Sequence, residues 1–343
     1  MANPEYESLN LNEVTLPTQV LALIADVVKD KGVSEFDLLE GSGLLPRDLR
    51  QSGSFLKYHQ VLTIINNALR LYPEPGLGLE VGKREKISTW GLLGFAMMSA
   101  ETLGDALVIA QRYYPAGPAL VDMEFLYDEA SCHTRAYTPY PVGHALPFVV
   151  EELGSCMASV FGVMLGQPFK FSEIQLSYDQ PAYANKYREI FACPISWNCP
   201  VNQFSFDISF LQMPLVTTDP VSMGVAEKLC QEALVKQGVE TDITHEIRRI
   251  LMRNPGRFPS MELVGEELQI STRSLRRHLA DLDTSFQAIL DDVRMNLAIQ
   301  YLGTAKLPLE EIAVLVGFNE YNNFRKAFKR WTGHPPSFYR TDD

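Results

Sequence analysis

Thr272-Arg-Ser-Leu-Arg-Arg-His-Leu-Ala-Asp-Leu282 and, 49 residues later, Tyr321-Asn-Asn-Phe-Arg-Lys-Ala-Phe-Lys-Arg-Trp331 decide how the C-terminal part of this chain folds. At about 100° per residue, Leu275, Leu279 and Leu282 gather on one side of a helix, and Arg273, Arg276 and Arg277 on the other. In the second stretch Phe324, Phe328 and Trp331 take the apolar side, opposite Asn322, Arg325, Lys326 and Lys329. Each stretch follows a shorter apolar segment, Leu263 to Leu268 and Leu309 to Val316. The joins are tight turns, Gln269-Ile270-Ser271 and Gly317-Phe318-Asn319. Ser271 suits an N-cap, and Gly317 suits the left-handed residue that ends a helix. Gly265 and Ala313 are small where two such helices must cross closely.

One amphipathic basic helix is most simply a solvated face. The same helix twice, with the turn correctly placed each time, predicts two helix-turn-helix units. The segment between them, Ser285 to Leu302, is long enough for a helix of about 27 Å. That length sets two reading heads about one DNA turn apart, since major grooves on one face recur every ~34 Å.

These residues resemble the DNA-binding domain of the AraC/XylS family. In the second unit the likeness runs through Ile312-Ala313, Gly317-Phe318, Phe324, Lys326, Phe328-Lys329-Arg330, Gly333, Pro335 and Tyr339-Arg340. In the first it runs through Val264, Leu268, Ser271, Arg273, Leu275 and Arg277-His278-Leu279. The resemblance implies that the second helix of each unit enters the major groove. It assigns base reading to Arg273, Arg276 and Arg277, and to Asn322 and Lys326. Lys329 and Arg330 fall to phosphates, and the DNA-binding set also takes in Ser271, Thr272, Tyr321, Asn323 and Arg325. Arginine offers a bidentate fork to guanine, and asparagine suits adenine. Two positions depart from the family: Gln269 replaces a glycine, and Lys326, which has no planar fork, replaces an arginine.

Upstream the periodicity changes. Helices are predicted over Pro17–Lys31, Lys57–Leu71, Trp90–Met98, Leu103–Tyr113 (with Thr102 as N-cap), Pro147–Leu165 and Ala182–Phe191. Strands are predicted over Ala119–Tyr127, Ser131–Thr138, Phe169–Tyr178 and Gln203–Ile208. The expected architecture is an α+β N-terminal effector domain (1–215), a linker with a connecting helix (216–241), and an all-α DNA-binding domain (242–343). Gly43-Leu44, Gly76-Leu-Gly78-Leu, Trp90-Gly-Leu-Leu-Gly94, Leu103-Gly-Asp-Ala-Leu107, Cys193-Pro194 and Pro214-Leu215 resemble the non-cupin effector and dimerisation domain of one AraC branch. That implies a homodimer sensing a small metabolite and, if it activates transcription as most relatives do, a contact with RNA polymerase. Trp90, Tyr113, Tyr137 and His144 are candidate effector contacts; an apolar or aromatic acid is the first expected ligand, an amino acid the second.

Composition narrows the alternatives. The net charge of −12 resides in residues 1–240, with 16 Lys/Arg against 28 Asp/Glu, while residues 241–343 hold 14 of each. An acidic half speaks against a sequence-tolerant architectural DNA protein, which is basic throughout. It also predicts weak, strongly salt-dependent non-specific DNA binding. The five cysteines form no CxxC pair and are expected to be reduced, buried thiols. A repair methyltransferase with AraC-type heads needs a zinc-bound cysteine. Cys193-Pro194 and Cys199-Pro200 have the wrong order for its Pro-Cys-His-Arg motif. No GxSxG, HExxH or P-loop occurs, Gly76–Gly82 misses the dinucleotide spacing, and adjacent Glu151 and Glu152 face different ways. The expectation is no enzyme, no cofactor and no metal. Met1–Glu13 is too polar for a secretory signal, and the most apolar stretch, Gly91–Ala100, is too short for a bilayer, which predicts a cytoplasmic protein without a membrane partner.

Overall fold

The computed structural model describes residues 15–17, 19–50, 55–113, 120–140, 142–236, 243–253, 255–304 and 307–340. A ribbon of β1 (Thr15–Pro17) and β2 (Phe55–Lys57) brackets α1 (Gln19–Lys29) and α2 (Glu35–Leu38). Next come α3 (Tyr58–Leu71), α4 (Leu77–Arg84), α5 (Gly91–Ser99) and α6 (Leu103–Tyr113). The hairpin β3 (Asp122–Tyr127) and β4 (Ser131–Tyr137) leads to the long helix α7 (Leu146–Leu165). Then β5 (Glu173–Gln175), α8 (Ala184–Phe191), β6 (Ile195–Ser196) and β7 (Asn202–Asp207) complete a five-stranded sheet of order β3-β4-β7-β5-β6, parallel only between β5 and β6. Helix α9 (Pro220–Lys236) follows.

Local chemistry explains several of these boundaries. Thr102 Oγ1 accepts the Asp105 amide at 3.1 Å while Asp105 Oδ2 accepts the Thr102 amide at 3.2 Å, so α6 begins where its capping box is written. The β3–β4 turn is held by Asp128 Oδ1, which accepts the amides of Ala130 and Ser131 at 2.8 and 2.7 Å. Strict alternation gives the sheet two unlike faces. Phe125, Cys132, Thr134, Ala136, Ile174, Phe204 and Phe206 lie buried on one side, where α7 brings Gly154 against the Phe204 ring. His133, Arg135, Gln203 and Ser205 alternate onto the other side, with Asp122 and Glu124 at its β3 edge.

Two expectations need correction, and one helix was not predicted. Residues 169–178 do not form one strand: only Glu173–Gln175 pairs, because Phe169 and Phe171 turn into an aromatic cluster with Phe161, Phe206 and Phe191. Helix α4 was hidden by its glycines. Gly78 and Gly82 lie one turn apart against α7, where a Cβ would come within 2.3 Å of the Phe148 carbonyl oxygen and 2.1 Å of that of Glu152. They are crossing-point residues. Finally, Gly143–Leu165, rather than Gly91–Ala100, is the most membrane-like stretch, and it is the one described helix long and apolar enough to cross a bilayer. It serves here as the central core helix, with most of its side chains buried under α4 and the sheet.

The elements of the described C-terminal residues are all helical: α10 (Ile243–Met252), α11 (Met261–Glu267), α12 (Thr272–Asp281), α13 (Phe286–Thr304), α14 (Leu309–Leu315) and α15 (Tyr321–Thr332). Leu275, Leu279, Phe324 and Phe328 share a core with α10 and α13. Leu282 departs from its predicted role: it ends α12 as the C-cap and is 53% exposed. The polar end of the sheet sits against this helical part. Arg249 of α10 pairs with Asp122 at 3.0 Å, and Arg253 with Glu124 at 2.9 Å. Arg135 donates to the Arg253 carbonyl at 3.0 Å, and Thr138 Oγ1 to Gln300 of α13 at 3.2 Å. Tyr137, placed by the sequence in an effector site, packs instead into the C-terminal core.

Candidate nucleic-acid interface

The two turns are built alike, bond for bond. In the first, Leu268 donates to Val264 at 3.0 Å, Gln269 to Glu266 at 3.1 Å and Ile270 to Gly265 at 2.9 Å. In the second, Val316 donates to Ile312 at 3.0 Å, Gly317 to Val314 at 3.0 Å and Phe318 to Ala313 at 2.8 Å. This is the Schellman pattern, which needs one residue in the left-handed region. Gly317 takes it at φ +80°, and Gln269 takes it at φ +56°, where glycine is the unstrained residue. Gly265 and Ala313 are both buried at the crossing, and a Cβ on Gly265 would lie 2.8 Å from the Ile270 oxygen. The turns then differ in exit. Ser271 Oγ accepts the Ser274 amide at 3.2 Å and caps α12, whereas Glu320, the N-cap of α15, makes no side-chain cap bond.

On α12, Arg273, Arg276 and Arg277 are exposed beside Ser271, with Thr272 half-buried. On α15, Asn322, Asn323, Arg325, Lys326, Lys329 and Arg330 are exposed. Arg330 reaches Asp291 of α13 at 3.1 Å, and among the described residues none of the others forms an ion pair. Tyr321 is half-buried, its ring against Phe324 at 6.3 Å. The amide and cationic side chains thus face away from the core that Leu275, Leu279, Phe324 and Phe328 bury.

Sequence reasoning missed Arg294. This α13 residue stacks between Phe258 and Phe318, at 5.4 and 5.0 Å, and donates to the Gly317 carbonyl at 3.4 Å. It ties the chain ahead of the first unit to the turn of the second. A lone arginine in a helix gives no signal of that role in the sequence.

The four effector candidates do not share a pocket. Tyr113 is buried, with the Arg112 guanidinium 6.0 Å from its ring, and His144 is exposed ahead of α7. Trp90 lines a cleft together with Leu93, Met97, Ala110, Met123, Phe125 and Met157, whereas Tyr137 lines a different cavity with Ser177 and Gln300. Its indole N–H donates to Glu85 at 2.8 Å. All five cysteines are free, and Cys193 and Cys199 are only partly buried. No cluster of metal-ligating side chains occurs among the described residues.

Residues 32–215 match the model of the arabinose-binding N-terminal domain of AraC transcription regulators, and residues 264–342 match a helix-turn-helix domain model. The chain is 35% identical to the ornithine utilization regulator of Pseudomonas aeruginosa, over 97% of this chain and 98% of that protein. It is 27% identical to an uncharacterized helix-turn-helix regulator, Rv1395, of Mycobacterium tuberculosis, over 95% and 96% of the two chains. Among solved structures, the transcriptional regulator CdpR of Pseudomonas aeruginosa aligns over 94% of this chain and 98% of its own, with 21% identity and a TM-score of 0.48. With two helix-turn-helix units behind an arabinose-binding-type domain, the chain belongs to the AraC family of DNA-binding transcription regulators.

Proposed function

We propose that this regulator reads two successive major grooves on one face of DNA, α12 in one and α15 in the next, under the control of a small-molecule effector. The observation that carries the reading is the pair of matching turns, each presenting an exposed polar helix while its apolar side packs into the core around α13. Arg273, Arg276 and Arg277 read bases in the first groove, and Asn322 and Lys326 in the second. Lys329 and Arg330 hold phosphates and set register, with Ser271, Thr272, Tyr321, Asn323 and Arg325 completing the contact surface. The division is residues 1–215 for sensing and dimerisation, 216–241 for the link, and 242–343 for DNA. The regulator acts as a cytoplasmic, non-enzymatic homodimer that activates transcription through RNA polymerase. The relative named for ornithine utilization supports control by a metabolite.

Base reading is tested by binding to a selected operator and to single-base variants of it. Arg273→Ala or Arg277→Ala should cost ~1–3 kcal/mol at particular base pairs and leave other sequences nearly unaffected. An equal loss on every sequence would remove the base-reading assignment. Effector control is tested by thermal shift of the full chain against a metabolite collection, since a true ligand raises the melting temperature by mass action.

A further inference from the structure

The geometry points to the cleft beside Trp90 as the effector site, for a small, uncharged, mainly apolar molecule, and to β3 as the strand that reports its occupancy to the DNA-binding half. The inference rests on the effector-responsive reading above and gives it a site and a route.

The cleft is pinched, with a cavity volume of only about 20 Å³. Met97, Met123 and Met157 form much of its wall. Methionine is unbranched and turns about three bonds, so such a cleft widens by side-chain rotation alone. Among the described residues no charged side chain lines it; its polar groups are the Gln111 amide and the Trp90 N–H, already given to Glu85. A charged ligand there would be buried without a partner, which selects for an uncharged one.

Strand β3 joins this cleft to the other half of the molecule. Met123 and Phe125 are cleft wall. Asp122 and Glu124, which point to the opposite face, hold Arg249 and Arg253. Asp122, Glu124 and Arg249 are each more than nine-tenths buried, so the pairs depend on close geometry rather than on long-range attraction. A ligand that pushes Met123 and Phe125 moves Glu124 between them and Asp122 next to them. The contact that the pairs hold is also incompletely satisfied. Ser177 Oγ, in the interface cavity with Gln300, and both amide atoms of Asn296, one turn before Gln300, are buried without hydrogen-bond partners. Opening hydrates them. An empty cleft therefore keeps α10 latched to β3, and a filled cleft releases it.

Hydrogen exchange of the full chain tests this at the α10 amides. Arg249→Ala should speed exchange there about tenfold, and Arg249→Lys less than twofold; no change in Arg249→Ala would overturn the latch. Toluene, an uncharged probe, should raise the melting temperature and speed α10 exchange about tenfold. Ala110→Met, or Ala110→Leu if the first does not fold, fills the cleft and should do the same without ligand. In an Asp122→Asn, Glu124→Gln background neither treatment should add more than twofold. If toluene raises the melting temperature while α10 stays unchanged in every case, the β3 route is overturned and the site stands. If hexylamine stabilises the chain and toluene does not, the apolar ligand class is overturned. If neither acts while another metabolite shifts the melt, the cleft assignment falls and effector control survives; if no metabolite acts, effector control itself falls.

Discussion

Gln269 is held at φ +56°, in the turn position where its counterpart Gly317 sits at φ +80°. A side chain in the left-handed region crowds its own backbone, and glycine does not. Gln269→Gly should therefore stabilise the C-terminal half by about 0.5–1 kcal/mol, net of the extra freedom glycine gives the unfolded chain. Urea unfolding monitored in α12 checks the sign; a loss of similar size would mean that the glutamine side chain supports the turn. At the same scale, Lys329 and Arg273 separate by kind of contact. Removing a phosphate contact at Lys329 should weaken binding uniformly and lower the slope of log K against log salt by about 1. Arg273→Ala should leave that slope unchanged at non-cognate sites. Equal slopes for Lys329→Ala and wild type would remove Lys329 from the phosphate set.

The crossing of α4 over α7 is the least forgiving contact between elements. The atoms nearest to a Cβ on Gly78 or Gly82 are carbonyl oxygens of α7, which cannot rotate aside. Gly82→Ala should cost about 1–3 kcal/mol, read from thermal unfolding; a neutral result would mean that α4 is free to slide. Glu151 sits at the same crossing. Its Oε1 accepts the hydroxyls of Tyr183 and Tyr187 at 2.7 and 2.5 Å, and the Gly78 and Leu79 amides also reach its carboxylate. Burial pushes its pKa up to about 7 against the ordinary 4.5, with those bonds opposing the rise. Glu152 is shifted upward as well, by burial and by the Glu85 carboxylate beside it. The folded state thus keeps protons that the unfolded chain releases. This contribution to stability is complete below the ordinary carboxylate range and is lost as pH rises through about 7. Between pH 5 and 8 the melting temperature should fall more steeply in the wild type than in Glu151→Gln. Parallel curves would place the titration elsewhere.

For the whole molecule, charge and contact act in opposite directions. The surplus of acidic residues, all of it in residues 1–240, repels DNA, yet Asp122 and Glu124 from that half are what Arg249 of α10 and Arg253 just after it grip. Non-specific binding should therefore fall at the weak end of the usual range of ~10⁻⁴–10⁻⁶ M near physiological salt. Titration against random-sequence DNA checks this, and submicromolar affinity would show that the acidic half does not shield the reading helices.

What the sequence determined by itself was everything written in local periodicity. The repeated helix pairs, the capped start of α6, the β3–β4 hairpin and the exposed cations of α12 and α15 all follow from residues within a few turns of one another, so a short window contains their cause. Tertiary structure decided the rest, because its cause lies between segments distant in sequence. Gly78 and Gly82 look like helix breakers until α7 is laid across them. Phe169 and Phe171 look like strand until the aromatic cluster draws them in. Tyr137 looks like a ligand contact until the helical half covers it, and Arg294 is silent until Phe258 and Phe318 close on either side. Asp122 and Glu124 alternate with Met123 and Phe125 in plain view, but only the folded chain puts arginines on one face of that strand and a cleft on the other.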